Sequence, residues 1–256
     1  MNDGADIALS TGIDLFNAEE YEKAEPHLRR AASLKPDSVE AWYTFGLALY
    51  QLRKFDESRD AFKNAACLDP YRADIYIALG MILKDEGKFA EAETAFGQAL
   101  RIQSDNADAY LQLSVLHAET GRWEESAKAA QRLVELRPTD EVSYLALAGA
   151  YQELKRYPEE INASHAALRL NPNSIPALEG LALAYGETGR YHEAVATLTH
   201  AIQIRPDIPH LHAWLAESFA ELGNAERADD ELKALARLDP QVAEQVQKII
   251  RDKGVR

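Results

Sequence analysis

Acidic side chains recur in this sequence at a constant interval of 34 residues. One such series consists of Asp85, Glu119, Glu153, Glu187 and Glu221. Carboxylates that are held near one another repel, and a ligand that carries Lys or Arg relieves this repulsion. The chemistry that the series predicts is therefore recognition of a basic partner, and not a reaction.

A second acidic series has a simpler explanation. It consists of Asp6, Glu40, Asp74 and Asp108. If each of these residues lies in the first turn of a helix, its carboxylate stabilises the helix dipole by about 0.3–1 kcal/mol and requires no ligand. We therefore expect this series to support helices, and only the first series to take part in binding.

The histidines and the single cysteine do not form a pattern typical of a metal site or a catalytic site. His210 and His212 are two residues apart, so on a helix they face different directions. The sequence has no HExxH spacing, glycine-rich phosphate loop or nucleophile elbow. Cys67 is most simply a small packing residue. The sequence predicts no enzyme activity, no metal and no cofactor.

The composition limits the classes of partner. The chain has 256 residues and a formal net charge of −14, and it contains no run of Lys or Arg. Binding to nucleic acid or to an anionic membrane surface is therefore disfavoured. No secretory signal and no apolar run of about 18 residues is visible. We expect a cytoplasmic protein that binds another protein, with no nucleic acid and no direct membrane insertion.

Several residue types share the 34-residue interval. Proline occupies one set of positions, in which Ser104 fills the single vacancy: Pro36, Pro70, Pro138, Pro172, Pro206 and Pro240. An aromatic side chain occupies another set: Tyr21, Phe55, Phe89, Trp123, Tyr157 and Tyr191. We call each set of positions that are 34 residues apart a column. Independent columns rarely share one period by chance, so the chain is a series of internal repeats.

Each repeat contains the pattern of two amphipathic helices. Apolar residues first recur at helical spacing, as at Trp42, Phe45 and Leu49. A second apolar stripe begins at the aromatic position, such as Phe55, and a proline then prevents this helix from continuing. The spacing predicts a helix, a turn, a second helix and another turn in every repeat.

The combination of columns resembles the tetratricopeptide repeat, and the third repeat shows the pattern well: Tyr76, Leu79, Gly80, Phe89, Ala92, Phe96, Ala99 and Ile102. The resemblance implies an all-α fold, an α-solenoid in the form of a right-handed superhelix of seven helix-turn-helix units with a C-terminal capping helix. The implied division is an N-terminal tail (1–4), seven repeats (5–38, 39–72, 73–106, 107–140, 141–174, 175–208 and 209–242), and a capping helix with a tail (243–256).

In this family the first helices of the repeats line a concave groove, and the resemblance assigns two sets of residues to it. The apolar set is Tyr43, Leu47, Ile77, Met81, Leu111 and Val115. The acidic set is Asp85, Glu119, Glu153 and Glu187, although the resemblance also makes glutamate ordinary at this position, just before the hairpin turn. This implies a protein-interaction scaffold or adaptor whose partner is an apolar and basic helix or extended segment. Alternatively, the apolar set packs partly between adjacent helices.

Two other functions stay open. The first repeat has no preceding hairpin to cover its apolar residues, so the chain is also a candidate for self-assembly into a homo-oligomer through its N-terminal end. The residues that would open the stack are Ile7, Ala8, Thr11 and Leu15. The third hypothesis is a regulatory subunit of an enzyme complex.

The fifth repeat departs from the pattern at Glu160, where most of the corresponding residues are alanine. A buried carboxylate without a partner is costly, or it stays protonated. We therefore expect a local shift of this helix, which begins near Pro158, to turn Glu160 outward. The alternative is that the repeat forms a flexible joint or a specificity site.

Overall fold

The structure is a computed structural model, and it describes residues 3–252. Within that range it contains fifteen α-helices and no β-strand. The helices are α1 (Asp3–Asn17), α2 (Tyr21–Leu34), α3 (Val39–Gln51), α4 (Phe55–Leu68), α5 (Ala73–Asp85), α6 (Phe89–Ile102), α7 (Ala107–Glu119), α8 (Trp123–Leu136), α9 (Glu141–Glu153), α10 (Tyr157–Leu170), α11 (Ile175–Glu187), α12 (Tyr191–Ile204), α13 (Pro209–Glu221), α14 (Ala225–Leu238) and α15 (Pro240–Asp252). The prediction of an all-α fold of the α-solenoid class is confirmed, and the division into seven repeats stays a prediction.

The sequence columns coincide with the helix boundaries. Helix α4, for example, begins at the aromatic residue Phe55 and ends at Leu68, two residues before Pro70. The turn that precedes each second helix contains a residue in the left-handed conformation, such as Arg53 (φ 60°) before α4 or Gly87 (φ 75°) before α6. A left-handed residue ends the first helix, and proline lacks the backbone donor that a longer second helix would require.

The described residues up to Leu116 form one compact unit, which contains α1 to α6 and most of α7. Its helices pack in consecutive pairs, α1 on α2, α3 on α4 and α5 on α6. Phe62 and Phe96 of the second helices are completely buried. Each faces a glycine of the first helix, Gly46 or Gly80, whose missing side chain allows the two helices to approach closely.

The described residues from His117 onward form a second compact unit with the end of α7 and helices α8 to α15. The pairs α9–α10, α11–α12 and α13–α14 pack in the same consecutive way. Helix α15 packs against α13 and α14 through Ala243, Val246 and Ile250, whereas Ile249 is exposed. A final helix with one apolar side and one polar side can cover the end of a stack of hairpins.

The two ends of the chain are only partly described. Residues 1–2 and 253–256, which belong to the predicted terminal tails, lie outside the described residues. Helix α1 begins at Asp3 and helix α15 begins at Pro240. The bounds of the predicted tails and of the predicted capping segment therefore stay predictions.

Glu160 does not turn outward, so the expectation of a locally shifted helix is wrong. Helix α10 begins at the aromatic column and has 14 residues, like α8 and α12, so Glu160 keeps the inward position of the pattern. Its side chain is completely buried. Pro158 is accommodated in the first turn of α10, where a backbone donor is not required.

The surroundings of Glu160 explain how the fold accepts it. A rotation of α10 that exposed Glu160 would also withdraw Ile161 and Ala167, which are both buried, from the core. Gly180 of α11 faces the carboxylate, and even a Cβ there would lie 3.5 Å from Glu160 Oε1, an ordinary van der Waals distance, so Glu160 fits against this helix. Within the described residues, both carboxylate oxygens and the Ser164 hydroxyl lack a hydrogen-bond partner. Burial raises the pKa of Glu160 to about 7.

Candidate functional site

The predicted apolar residues of the first unit lie on α3, α5 and α7 and are largely integrated into the packing. Ile77 is 9% exposed and belongs to the core. The other residues of this set are half-buried: Tyr43, Leu47, Met81, Leu111 and Val115. Tyr43 and Leu47 pack against the cluster around Phe62. These half-buried side chains therefore divide their surface between the core and the solvent.

Arg72 covers the Tyr43 ring and neutralises two acidic residues beside it. Its guanidinium lies 4.3 Å from the centre of the Tyr43 ring. Arg72 Nη1 donates a 2.9 Å hydrogen bond to Glu40, and Arg72 Nε donates one of 2.9 Å to Asp74. Burial is the main cause that raises the pKa of Tyr43 to about 12. Glu40 and Asp74 lie in the first turns of α3 and α5, as the helix-dipole explanation requires.

The other acidic series occupies the opposite end of the helices. Its members are the last residues of the first helices in their hairpins: Asp85 of α5, Glu119 of α7, Glu153 of α9, Glu187 of α11 and Glu221 of α13. The C-terminal end of a helix carries a partial negative charge, so a carboxylate there is unfavourable. Helix stability therefore does not explain why acidic residues recur at this position.

Two members of this series accept a hydrogen bond from a tyrosine. The Tyr50 hydroxyl donates to Asp85 Oδ2 over 2.8 Å in the first unit. The Tyr157 hydroxyl donates to Glu187 Oε2 over 3.2 Å in the second unit. Burial is the main cause that raises the pKa of Tyr50 to about 12, and the bond to Asp85 contributes. Glu153 is exposed at the end of α9. A single continuous row of these carboxylates stays a prediction.

A cleft of about 420 Å³ lies between α11, α12 and α13 in the second unit. We refer to it as the α11–α13 cleft. Its walls combine apolar and acidic side chains: Ala182, Leu183, Gly186, Glu187, Tyr191, Leu198, Trp214, Glu217, Ser218 and Glu221. Of the predicted site residues, the cleft includes Glu187.

Trp214 is the part of the cleft that the sequence interpretation missed. The corresponding positions in earlier repeats carry small residues such as Ala78, Ala146 and Gly180, so a tryptophan there is a departure from the pattern that could have been noticed. The His210 ring packs against the indole, with 4.9 Å between the ring centres. His210 Nε2 lies 2.7 Å from Glu179 Oε1, which holds the histidine in place.

The described residues contain neither a cluster of metal ligands nor a membrane-spanning helix. Within residues 3–252, no group of three or more His, Cys, Asp or Glu side chains is arranged to hold a metal ion. None of the described helices has the length and apolar character needed to cross a membrane.

Comparison with protein-family models identifies the repeats directly. One model, described as tetratricopeptide repeat, matches residues 9–74 and 77–141, which together make up more than half of the chain. A second model with the same description matches residues 187–251. No curated protein matches the chain.

Several solved structures share the fold at low sequence identity. The C-terminal part of a TPR repeat-containing protein from Cytophaga hutchinsonii is 18% identical with a TM-score of 0.76, and the match covers 93% of this chain and 98% of that one. YrrB, a TPR protein described as having an unusual peptide-binding site, is 18% identical with a TM-score of 0.68, covering 74% of this chain and 99% of its own. MamA is 21% identical with a TM-score of 0.63, covering 67% and 94%.

Proposed function

Because the chain belongs to the tetratricopeptide-repeat family, we propose that it is a non-catalytic scaffold that binds a segment of a partner protein against the first helices of its hairpins. The observation that carries this proposal is the recurrence of carboxylates at the C-terminal ends of these helices, where they oppose the helix dipole. A residue type that opposes a local structural preference is often found at a functional site. The peptide-binding site of YrrB is consistent with this class of function.

The surface favours a partner segment with apolar and basic side chains. In the first unit, Tyr43, Leu47 and Met81 are half-buried and present part of their surface to solvent. In the second unit, Glu153 and Glu187 are exposed. A helix or an extended segment can place apolar side chains against such a surface and Lys or Arg beside its carboxylates.

Reversing the charge of Glu153 and Glu187 tests this proposal. Peptides selected from a displayed random library with the full chain should be rich in Lys, Arg and aliphatic residues. Glu153→Lys combined with Glu187→Lys should weaken their binding about tenfold at low salt, because rim charges act mainly through long-range attraction. Lysine at these helix ends favours the dipole, whereas Glu187→Lys removes the hydrogen bond from Tyr157, so urea unfolding of the double variant verifies that a loss of binding does not result from unfolding.

A matched variant separates the local effect from the change in net charge. Glu124 and Glu226 are exposed in the first turns of α8 and α14 and do not lie on the first helices. Glu124→Lys combined with Glu226→Lys makes the same change in net charge and should leave peptide affinity within about twofold. Selection of acidic peptides, or equal losses in both double variants, would contradict the proposed surface.

Self-association through the N-terminal end is a second candidate, because Ile7 of α1 is 65% exposed. On the same helix, Ala8 is buried and Leu15 packs against the core, so the candidate contact centres on Ile7. If this end mediates assembly, light scattering should show a mass that rises with concentration, and Ile7→Asp should return the chain to a monomer. A monomer at every concentration would exclude this candidate and leave the scaffold as the remaining proposal.

A further inference from the structure

The α11–α13 cleft has an apolar floor and open space above it. Leu198 and Ala182 form the floor and are 1% and 3% exposed. The half-buried side chains of Leu183 and Trp214 line it as well. A Cβ built at Gly186 would meet nothing within 4 Å, so this wall has no side chain of its own. A volume of about 420 Å³ lies within the usual range for binding pockets and exceeds what a single water requires.

The charged side chains among the described lining residues of the cleft are all acidic. Glu187, Glu217 and Glu221 line it, and none of its described lining residues is Lys or Arg. Carboxylates beside apolar walls act through a lower effective dielectric than in water, which strengthens their attraction for a cation. These carboxylates are not arranged as a metal site within residues 3–252. The ligand that fits is therefore an organic cation that has one positive charge and an apolar stem.

Trp214 supplies a surface that suits such a ligand. The adjacent His210 ring and Glu179 keep the indole in position. A guanidinium or ammonium group is attracted to the face of an aromatic ring. Elsewhere in the second unit the protein forms this contact with its own residues, since Arg190 lies 4.5 Å from the centre of the Tyr185 ring.

We propose that the α11–α13 cleft binds one Arg or Lys side chain of a partner peptide. The methylene groups of that side chain lie against Trp214 and Leu183, and its charged end reaches the carboxylates. This inference rests on the proposed scaffold function and specifies the side chain that the second unit recognises. The peptide backbone stays outside the cleft, where neighbouring aliphatic residues contact the exposed surface of α11 and α13.

The indole N–H signal of Trp214 provides a direct test in the full chain. The probes are Ac-Leu-Arg-Leu-amide, its lysine analogue, and two analogues with neutral citrulline or with glutamate at the central position. Titration with the Arg and Lys peptides should shift the Trp214 signal in a saturable manner. Citrulline has nearly the shape of arginine without its charge, so its peptide should bind at least tenfold more weakly, and the glutamate peptide should not bind. Trp42 and Trp123 serve as internal controls.

Filling the open wall tests the location. Gly186→Leu adds a side chain at a residue that lines the cleft, where a Cβ meets no atom within 4 Å, and it should narrow the cleft and abolish the shift of the Trp214 signal. Gly97→Leu on α6 is the matched variant, since a Cβ there also meets nothing within 4 Å, and it should bind like the unmodified chain. Unfolding curves of both variants verify that the fold is retained.

The outcomes distinguish this inference from the scaffold proposal. A Trp214 signal that ignores the cationic peptides, or equal shifts of all three indoles, would overturn the cleft inference even if the displayed library yields binders. Equal binding of the citrulline and arginine peptides would also overturn it. Tighter binding of ethylguanidinium than of the arginine peptide would reject a peptide as the occupant. A specific Trp214 response with no binders from the library would support the cleft and count against the scaffold.

Discussion

Replacing Glu160 with alanine is expected to stabilise the second unit, and the stabilisation should grow with pH. Burial raises the pKa of the Glu160 carboxyl from 4.5 to about 7. Between these values the unfolded chain loses the proton while the folded chain keeps it, so rising pH favours unfolding. A tenfold change in proton affinity corresponds to about 1.4 kcal/mol, so the cost of Glu160 approaches about 3 kcal/mol at neutral pH and above. It is absent well below pH 4.5, where both states are protonated.

Urea unfolding at pH 5 and pH 8 measures this effect. The free energy of unfolding of Glu160→Ala relative to the unmodified chain should rise by about 2–3 kcal/mol between these pH values. Carboxyl groups with lowered pKa, such as Glu25 and Glu86, are common to both proteins and cancel in the comparison. Tyr157, the neighbouring group that senses the Glu160 charge, has a pKa raised above 10 and does not titrate in this range.

A second substitution separates the charge from the packing. Glu160→Gln keeps the shape of the side chain but cannot ionise, so its stability should lose the pH dependence attributed to Glu160. It still buries polar atoms without partners and should therefore be less stable than Glu160→Ala at both pH values. If the difference between Glu160→Ala and the unmodified chain is the same at pH 5 and pH 8, the carboxyl group is not buried as described.

The helices were predictable because each one depends on several residues that repeat. The bounds of α4, from Phe55 to Leu68, follow from an aromatic residue at its start and an aliphatic residue and Pro70 at its end. When one position departs from its column, the other columns still determine the helix bounds. At Ser104 the proline is missing, and α6 still ends at Ile102. A periodic pattern therefore determines local structure with redundancy.

The direction of a single side chain lacks this redundancy. The sequence correctly indicated that Glu160 occupies a position for small residues, but the cost of burial alone suggested that it turns outward. The decisive factor was the unchanged register of α10, which keeps Glu160 on the inward side, where it fits against Gly180 of the next helix. The contacts of Arg72 with Tyr43 and Glu40 were not predicted either. They join two neighbouring hairpins, and the pattern within one repeat does not determine them.

The candidate site was predictable only in part. The recurrence of the acidic series is visible in the sequence, whereas its position at the ends of the first helices required the helix bounds. The α11–α13 cleft depends on Trp214 and on the open wall at Gly186, and neither residue follows a column. Residues that depart from the repeat are the ones that distinguish one array from another, and their effect depends on the neighbouring hairpin.

Gly80→Ala is expected to destabilise the first unit although alanine is the better helix former. A Cβ at Gly80 would lie 2.4 Å from Phe96 Cε1, and Phe96 is completely buried in the contact between α5 and α6. One of the two helices or the ring must move, and such overpacking costs about 1–3 kcal/mol. Gly97→Ala on α6 meets nothing within 4 Å and should raise the free energy of unfolding by about 0.5–1 kcal/mol.

The chain itself indicates which second substitution should rescue the first. Ala182 and Leu198 have the same separation in sequence as Gly80 and Phe96, and both are buried, so in that hairpin alanine is accommodated opposite leucine. Phe96→Leu should therefore cost less stability in the Gly80→Ala background than alone, with a coupling energy of about 1 kcal/mol in a double-mutant cycle followed by urea unfolding. Additive effects, or stabilisation by Gly80→Ala alone, would show that the helices of this hairpin have room to separate, and the close approach through the small-residue column would then not be what fixes their packing.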